Sequence, residues 1–85
     1  MILGYSHSFK KDYKKLPPKI KKQLGLRLEI FKLNQFDRIL NNHAVHHPYT
    51  GCRSINITGD LRVLYEVDGD KVIFIRIGTH SELYE

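Results

Sequence analysis

Residues 53–78, RSINITGDLRVLYEVDGDKVIFIRIG, decide the fold of this chain. Within them apolar and polar residues alternate with a period of two, which is typical of β-strands. The alternating segments are residues 53–58, 61–67 and 71–77. The tripeptides TGD and DGD between these segments are turn sequences. The stretch therefore predicts an antiparallel meander of three strands.

The alternation gives the predicted sheet an aliphatic face and a polar face. The aliphatic parity is made by Ile55, Ile57, Leu61, Val63, Tyr65, Val67, Ile73, Ile75 and Ile77. We expect this face to pack against helices and form the core. The opposite parity carries Ser54, Asn56, Arg62, Glu66 and Arg76, with Leu64 and Phe74 among them. Two arginines and an asparagine on an uncovered face make it the candidate functional site.

Two helices are predicted before the sheet. Ser6 or Ser8 can cap the first, which ends at the pair Pro17-Pro18, and the second runs from Pro18 to about Lys32. Apolar residues recur at helical spacing in the second helix and occupy more than half of its circumference. We therefore expect this helix to pack against both the sheet and a neighbouring helix or partner chain. The predicted fold class is α+β, with an N-terminal helical hairpin packed on a small antiparallel β-sheet and a short C-terminal tail or helical turn.

Length and charge limit the class of protein. The chain has 85 residues, which is enough for a single domain over residues 1–85 with a modest core. Fourteen lysines and arginines against nine acidic residues give a net charge of +5 and a pI near 9.5. A polyanionic partner such as a nucleic acid is one explanation of this charge, and solubility is the other.

The chain has a single cysteine, Cys52. Cys52 can make neither an internal disulfide nor a thiolate-rich zinc site, so we expect it to act as a small apolar residue. The lack of disulfides also predicts a protein of a reducing compartment. The N-terminus becomes polar too soon for a signal peptide, and no apolar run approaches the roughly 20 residues needed to cross a bilayer. These features predict a soluble cytoplasmic protein with no membrane contact.

Residues 36–52 read as an irregular segment that contains His43, His46 and His47. Three histidines in one loop raise the question of a metal site. No nearby cysteine or carboxylate completes a recognised zinc spacing, so we predict no metal ligands and no cofactor, with His46 and His47 exposed to solvent.

The C-terminal residues bring an arginine, an imidazole and a phenol close together in sequence, as Arg76, His80 and Tyr84. In a small basic protein these groups can neutralise a phosphate and move its protons. The C-terminus is therefore a candidate RNA-cleaving site.

These residues fall in a pattern, Arg76-x-Gly78-Thr79-His80-x-x-Leu83-Tyr84, preceded by Gly51-x-Arg53 and Asp60-x-x-x-x-Tyr65. The pattern resembles the RelE/ParE superfamily of toxins from type II toxin–antitoxin modules, in particular its YafQ-like branch. Ser8-Phe9-x-x-Asp12 and the helical hairpin also fit, so the resemblance covers nearly all of the chain. It implies a RelE-like fold.

The resemblance also implies roles for individual residues. His80 matches a catalytic histidine and Arg76 a phosphate-contacting arginine. Tyr84, Asp60 and His43 match, respectively, a terminal aromatic residue, an acidic residue of the first turn and a histidine of the loop before the sheet. Arg62 lies where RelE-like members often have a catalytic arginine, and we expect Arg53, Asn56 and Arg62 to contact RNA.

Three positions depart from the pattern. Asn56 replaces a second histidine, and an amide cannot shuttle protons near neutral pH although it can hydrogen-bond a phosphate or a base edge. Leu61 replaces an aromatic residue that could stack on a base. His47 occupies a position usually filled by glycine, which can change the path of the loop and hence the placing of His43.

Members of the branch are ribosome-dependent mRNA endonucleases, and this is the function that the resemblance implies. The implied reaction is metal-independent attack of a 2′-hydroxyl on the adjacent phosphate, with His80 as general acid and His43 or Asp60 as base. Arg62 and Arg76 would stabilise the charge of the phosphorane. Two alternatives stay open: a ParE-like inhibitor of DNA gyrase, and a degenerate toxin that only binds its antitoxin.

The resemblance further implies partners. A cognate antitoxin would form a hetero-oligomer with the chain and hold it inactive, and mRNA in the ribosome would be the substrate. Related modules commonly bind their own operator DNA through the antitoxin, so that contact is implied as well.

Overall fold

One sheet of five strands organises the computed structural model, which describes residues 1–84. In chain order the strands are β1 (Ile2–Tyr5), β2 (His43–Ala44), β3 (Arg53–Asn56), β4 (Leu61–Asp68) and β5 (Lys71–Thr79). They lie side by side in the order β1-β5-β4-β3-β2. Strands β3, β4 and β5 pair antiparallel, which confirms the predicted meander, and β2 extends it beside β3.

Strand β1 makes the sheet mixed, because it pairs with β5 in parallel. Its four residues are too few to show an alternation, so the sequence pattern did not predict it. Ile2 lies opposite Lys71 and Tyr5 opposite Phe74. The second half of β5 therefore extends beyond β1.

Helix α1 (His7–Lys14) and helix α2 (Pro18–Leu33) agree with the predicted helical hairpin, and α3 (His80–Tyr84) with the predicted C-terminal helical turn. A single 3₁₀ turn spans Arg38–Leu40. Ser6, rather than Ser8, caps α1, because its Oγ accepts a hydrogen bond from the Phe9 amide at 3.0 Å. No helix within residues 1–84 is long and apolar enough to span a membrane.

The main core lies between the two long helices and one face of the sheet. Its fully or nearly buried residues are Phe9, Leu24, Phe31, Leu40, Ile55, Ile57, Val63, Tyr65, Val72, Phe74 and Ile77. At its centre the Phe31 ring meets Tyr65 and Phe74 edge to face, with ring centroids 5.0 and 5.4 Å away. Such aromatic pairs add to the stabilisation from buried area alone.

A β-bulge changes the predicted facing of part of β5. The register pairs Leu64 with Arg76 but the next residue of β4 with Phe74, so Ile75 has no partner. Because of this extra residue, the β5 side chains before Ile75 face the side of the sheet opposite to the one that the alternation predicts. The prediction that Ile73 and Ile75 face the helices, with Phe74 opposite, was therefore wrong: Phe74 is fully buried in the main core. Arg76, beyond the bulge, keeps its predicted face beside Leu64.

The opposite face of the sheet is partly covered, although the sequence predicted an open face. A second, smaller core forms there from Val45, Cys52, Leu64 and Leu83. The loop between β2 and β3 supplies two of these residues and α3 supplies one, so both segments are anchored on this face. Cys52 is buried as expected, and burial raises the pKa of its thiol.

Candidate active site

A cavity of about 240 Å³ lies on the face opposite the long helices, between α3 and the chain at β2. Residues 43–47 form one side of it, and Arg62, His80 and Tyr84 form the rest. The cavity thus brings together four of the residues that sequence reasoning selected: His43, Arg62, His80 and Tyr84.

Reciprocal hydrogen bonds fix the start of α3, where His80 is the first helical residue. The Thr79 amide donates to Glu82 Oε1 at 2.8 Å, and the Glu82 amide donates to Thr79 Oγ1 at 3.1 Å. This capping box satisfies amides that a helix start leaves without partners. The pKa of Glu82 lies below its usual range. The hydrogen bond from the Thr79 amide is the main cause, and the hydrogen bond from the Thr79 hydroxyl is the second. His80 is thereby held at the rim of the cavity.

Gly78 allows the close approach of α3 to the sheet. A Cβ atom built on Gly78 would lie 3.2 Å from side-chain atoms of Leu83, closer than ordinary contact. Leu83 is buried in the second core, so it has little room to move. A glycine at this position thus lets α3 fold back immediately after β5.

His80 and Tyr84 lie one helical turn apart, with their ring centroids separated by 4.7 Å. The Tyr84 ring also meets Tyr49 edge to face at 6.2 Å. Burial raises the pKa of the Tyr84 phenol, and the positive charge of Arg62 opposes that shift in part. The phenol therefore stays protonated at neutral pH, where it can donate a hydrogen bond but cannot act as a base.

One hydrogen bond fixes the tautomer of His43 when its ring is neutral. Its Nδ1 lies 2.7 Å from the carbonyl oxygen of Asn41. A carbonyl oxygen only accepts, so Nδ1 carries the hydrogen and Nε2 keeps a free lone pair. The exposed His43 ring thus presents a proton acceptor.

Arg62 is held by Asn56, one of the three residues that depart from the family pattern. Asn56 lies directly opposite Arg62 in the β3–β4 register, and Arg62 Nη1 donates to its Oδ1. Arg62 also lies opposite Gly78, two residues before His80. Asn56 itself does not line the cavity formed by the described residues, and it contacts the lining residue Arg62.

Arg76 lies next to the cavity rather than in it. Its Nε donates to Asp12 Oδ2 at 2.8 Å and its Nη1 to the Tyr49 hydroxyl at 3.2 Å. The same carboxylate oxygen accepts from the Ile77 amide at 2.8 Å, so Asp12 ties α1 to the free edge of β5. The hydrogen bond to Asp12, chiefly, raises the pKa of Arg76. Tyr49 links Arg76 to Tyr84 and hence to the cavity.

The structure does not bring Arg53 and Asp60 to the cavity that the described residues form. Arg53 lies opposite Tyr65, on the helix-facing side of the sheet, and its Nε donates to Asn42 Oδ1 at 2.8 Å. Its guanidinium also stacks over Phe36, 5.5 Å from the ring centroid. Asp60 is exposed in the turn before Leu61, outside the lining residues.

A family comparison places this architecture. A model of the bacterial YafQ toxins of type II toxin–antitoxin systems matches residues 1–85. The chain belongs to this family. The predicted resemblance to the YafQ-like branch is thereby confirmed.

Solved structures agree with the YafQ family assignment in their fold. YafQ from E. coli strain BL21(DE3) matches with a TM-score of 0.83 at 22% identity, over 98% of this chain and 97% of that one. A chain of the E. coli DinJ–YafQ toxin–antitoxin complex gives 0.77 at 23% identity, over 98% and 96%. A conserved hypothetical protein from Helicobacter pylori gives 0.76 at 27% identity, over 99% of both chains. No curated protein matches by sequence.

Sequence reasoning missed four residues around the site of this YafQ-family chain. His46 and His47 are exposed, as predicted, but they also line the cavity. Their position in one loop with His43 was the available signal. Asp12 and Tyr49 hold Arg76, and no local pattern could show this, because 64 residues separate Asp12 from Arg76.

Among residues 1–84, no group of three or more histidine, cysteine, aspartate or glutamate side chains is placed to hold a metal ion. The side chains that line the cavity include imidazole, guanidinium and phenol groups.

Proposed function

We propose that the chain is a ribosome-dependent mRNA endonuclease, the toxin of a type II module. The observation that supports this proposal is the cavity that gathers His43, Arg62, His80 and Tyr84. It places two imidazoles, a cation and a neutral phenol around one space. Such groups can catalyse phosphate transfer without a metal, as acid, base and charge-stabilising groups.

His43 is the base in this proposal. Its free Nε2 takes the proton from the 2′-hydroxyl of mRNA, and the resulting oxygen attacks the adjacent phosphorus. The bond to the 5′-oxygen then breaks, and His80 donates a proton to that leaving group. The products are a 2′,3′-cyclic phosphate and a 5′-hydroxyl. Asp60, the other predicted base, lies outside the cavity lining and is the second choice.

Arg62, which lines the cavity, stabilises the negative charge of the phosphorane in this proposal. Tyr84 can add a hydrogen bond from its protonated phenol. Arg76 acts from the side, since Asp12 and Tyr49 hold its guanidinium. If the ribosome holds the mRNA in line, much of the rate comes from positioning, and few acid–base groups suffice.

A cognate antitoxin is the proposed protein partner. YafQ of E. coli forms a complex with DinJ, and an antitoxin partner for this chain is consistent with its surface. A largely apolar cavity of about 560 Å³ opens between α1 and α2, with Lys10, Lys14 and Lys21 among its lining residues. An acidic amphipathic segment fits this combination. A hetero-oligomer in the cytoplasm, with operator DNA bound through the antitoxin, completes the proposal.

Substitution of a single 2′-hydroxyl tests the mechanism. The ribosomes are programmed with an mRNA that has a 2′-deoxy nucleotide at the cleaved position. The same mRNA with ribose at every position is the control. We expect cleavage of the control only, with product ends that are a cyclic phosphate and a 5′-hydroxyl. Cleavage of the deoxy mRNA, or loss of cleavage in EDTA while the ribosomes stay intact, would contradict 2′-hydroxyl attack without a metal.

A further inference from the structure

His46 and His47 add two imidazoles to the cavity beyond the residues with roles in the proposed reaction. We infer that these two side chains form a phosphate-binding wall for the mRNA, and that they supply the imidazole function that position 56 lacks. This inference rests on the proposed function, because it names further residues that would bind the same substrate.

The backbone beneath the two histidines is well anchored. The Tyr49 amide donates to the His46 carbonyl at 2.8 Å and closes a turn. The Val45 amide donates to the Cys52 carbonyl at 3.1 Å and closes the loop. Val45 and Cys52 are each only 7% exposed in the second core. The exposed imidazoles therefore project from a fixed segment, which reduces the ordering cost of binding a ligand.

The charge of the lining favours an anion. Four histidines and Arg62 line the cavity, and no carboxylate does so within residues 1–84. Tyr49 and the buried Cys52 thiol, which act on Tyr84, are neutral in their ordinary forms. The Glu66 carboxylate acts on Cys52 but does not line the cavity. An entering phosphate would meet no opposing charge from the lining residues.

The nearby arginine and asparagine leave a role for the imidazoles. Asp12 already neutralises Arg76 across a 2.8 Å ion pair. Asn56 Oδ1 accepts a hydrogen bond from Arg62, and Asn56 has no titratable group. A histidine beside a phosphate gains a proton more readily and then donates from both ring nitrogens. His46 and His47 can thus supply both charge and hydrogen bonds to an RNA phosphodiester.

A titration of the histidine Hε1 resonances by NMR tests the wall directly. The probe is a trinucleotide that is 2′-O-methylated at every position and cannot be cleaved by 2′-hydroxyl attack. We expect saturating probe to raise the apparent pKa of His46 and His47 by about half a unit or more. His7, on α1 outside the cavity, is the internal control and should not change. Unchanged pKa values for both loop histidines would overturn the wall.

Kinetics on programmed ribosomes provide the second readout. A His46→Gln, His47→Gln double variant should raise KM about tenfold with a much smaller change in kcat, as expected for lost phosphate binding. The matched control, His7→Gln, should behave as wild type. An unchanged KM in the double variant, while wild type cleaves, would refute the wall and leave the proposed function standing. If wild type does not cleave, the proposed function fails, and the NMR titration alone decides whether the wall binds phosphate.

Discussion

Asn56 contacts a residue of the cavity without lining the cavity itself. Its amide oxygen accepts from Arg62, the arginine of the cavity, while its backbone carbonyl accepts from Arg27 Nη1 at 3.1 Å. Both the side chain and the main chain of Asn56 thus accept a hydrogen bond from an arginine. An amide leaves the full positive charge of Arg62 available to a phosphate, which a carboxylate in its place would not.

Asn56→Asp is therefore expected to lower kcat/KM for mRNA cleavage more than Asn56→Ala does. The alanine variant loses the bond that positions Arg62, for a loss of about tenfold. The aspartate variant keeps an acceptor but sets a negative charge beside the approaching phosphate, for a further loss of about tenfold. Cleavage kinetics on programmed ribosomes measure both. An aspartate variant as active as wild type would contradict this positioning role.

Asp12 is the residue that joins an element of the N-terminal half to the site. Its side chain is only 14% exposed, and it accepts from Arg76 and from the Ile77 amide. Asp12→Ala should lower the free energy of unfolding by about 2–4 kcal/mol, because it leaves a guanidinium and an amide without their partner. Asp12→Asn keeps an acceptor and should lose about half as much. Urea unfolding of the three proteins measures the difference, and equal stabilities would contradict the role assigned to Asp12.

At the scale of elements, the bulge in β5 decides which side chains form the core. Phe74→Ala should cost about 3–5 kcal/mol of stability, because it opens a cavity beside Phe31. Ile73→Ala, at a partly exposed position, should cost about 1 kcal/mol. Thermal and urea unfolding give both values. The unbulged alternation makes the opposite prediction, so a larger loss for Ile73 would refute the bulge.

Much of this arrangement could be predicted from the sequence, and the exceptions have physical causes. The meander and both long helices follow from local periodicity. The bulge does not, because a period of two extended through Ile75 hides the extra residue. Strand parity indicated Arg62 and the C-terminal cluster indicated His80, both supported by the family pattern, which alone indicated His43. The Asp12–Arg76 ion pair, by contrast, depends on tertiary packing that local patterns do not encode. The sequence Thr79-x-x-Glu82 matches a capping box, which is a local signal for the start of α3.

Helix α3 should loosen in acid because of its capping box. The folded-state pKa of Glu82 is lowered below its ordinary value of 4.5, so the ionised carboxylate favours the folded cap. This contribution is complete above pH 4.5 and is lost as the pH falls through the folded-state pKa. Amide exchange of Thr79, followed by NMR, should therefore speed up in that range relative to unfolded peptide. In Glu82→Gln the same comparison should show little change with pH, and an identical acid response would remove Glu82 as the cause.

At the scale of the whole molecule, two concave surfaces have different characters. The space between α1 and α2 is mainly apolar with lysines among its lining residues, whereas the cavity at α3 is lined by imidazoles and Arg62. The net charge of +5 favours acidic partners at both. A protein partner on the helices and an RNA phosphate on the opposite face fit this division.

The measurement that tests the central claim most directly is primer extension on mRNA from a translating extract. The extract receives the wild-type protein, His80→Ala or the matched surface variant His7→Gln, and a ribosome-free reaction is the control. We predict mRNA cuts that require ribosomes, disappear with His80→Ala and persist with His7→Gln. A folded wild-type protein that makes no cuts would contradict the proposed nuclease, and cuts that survive His80→Ala would contradict the site assigned to it.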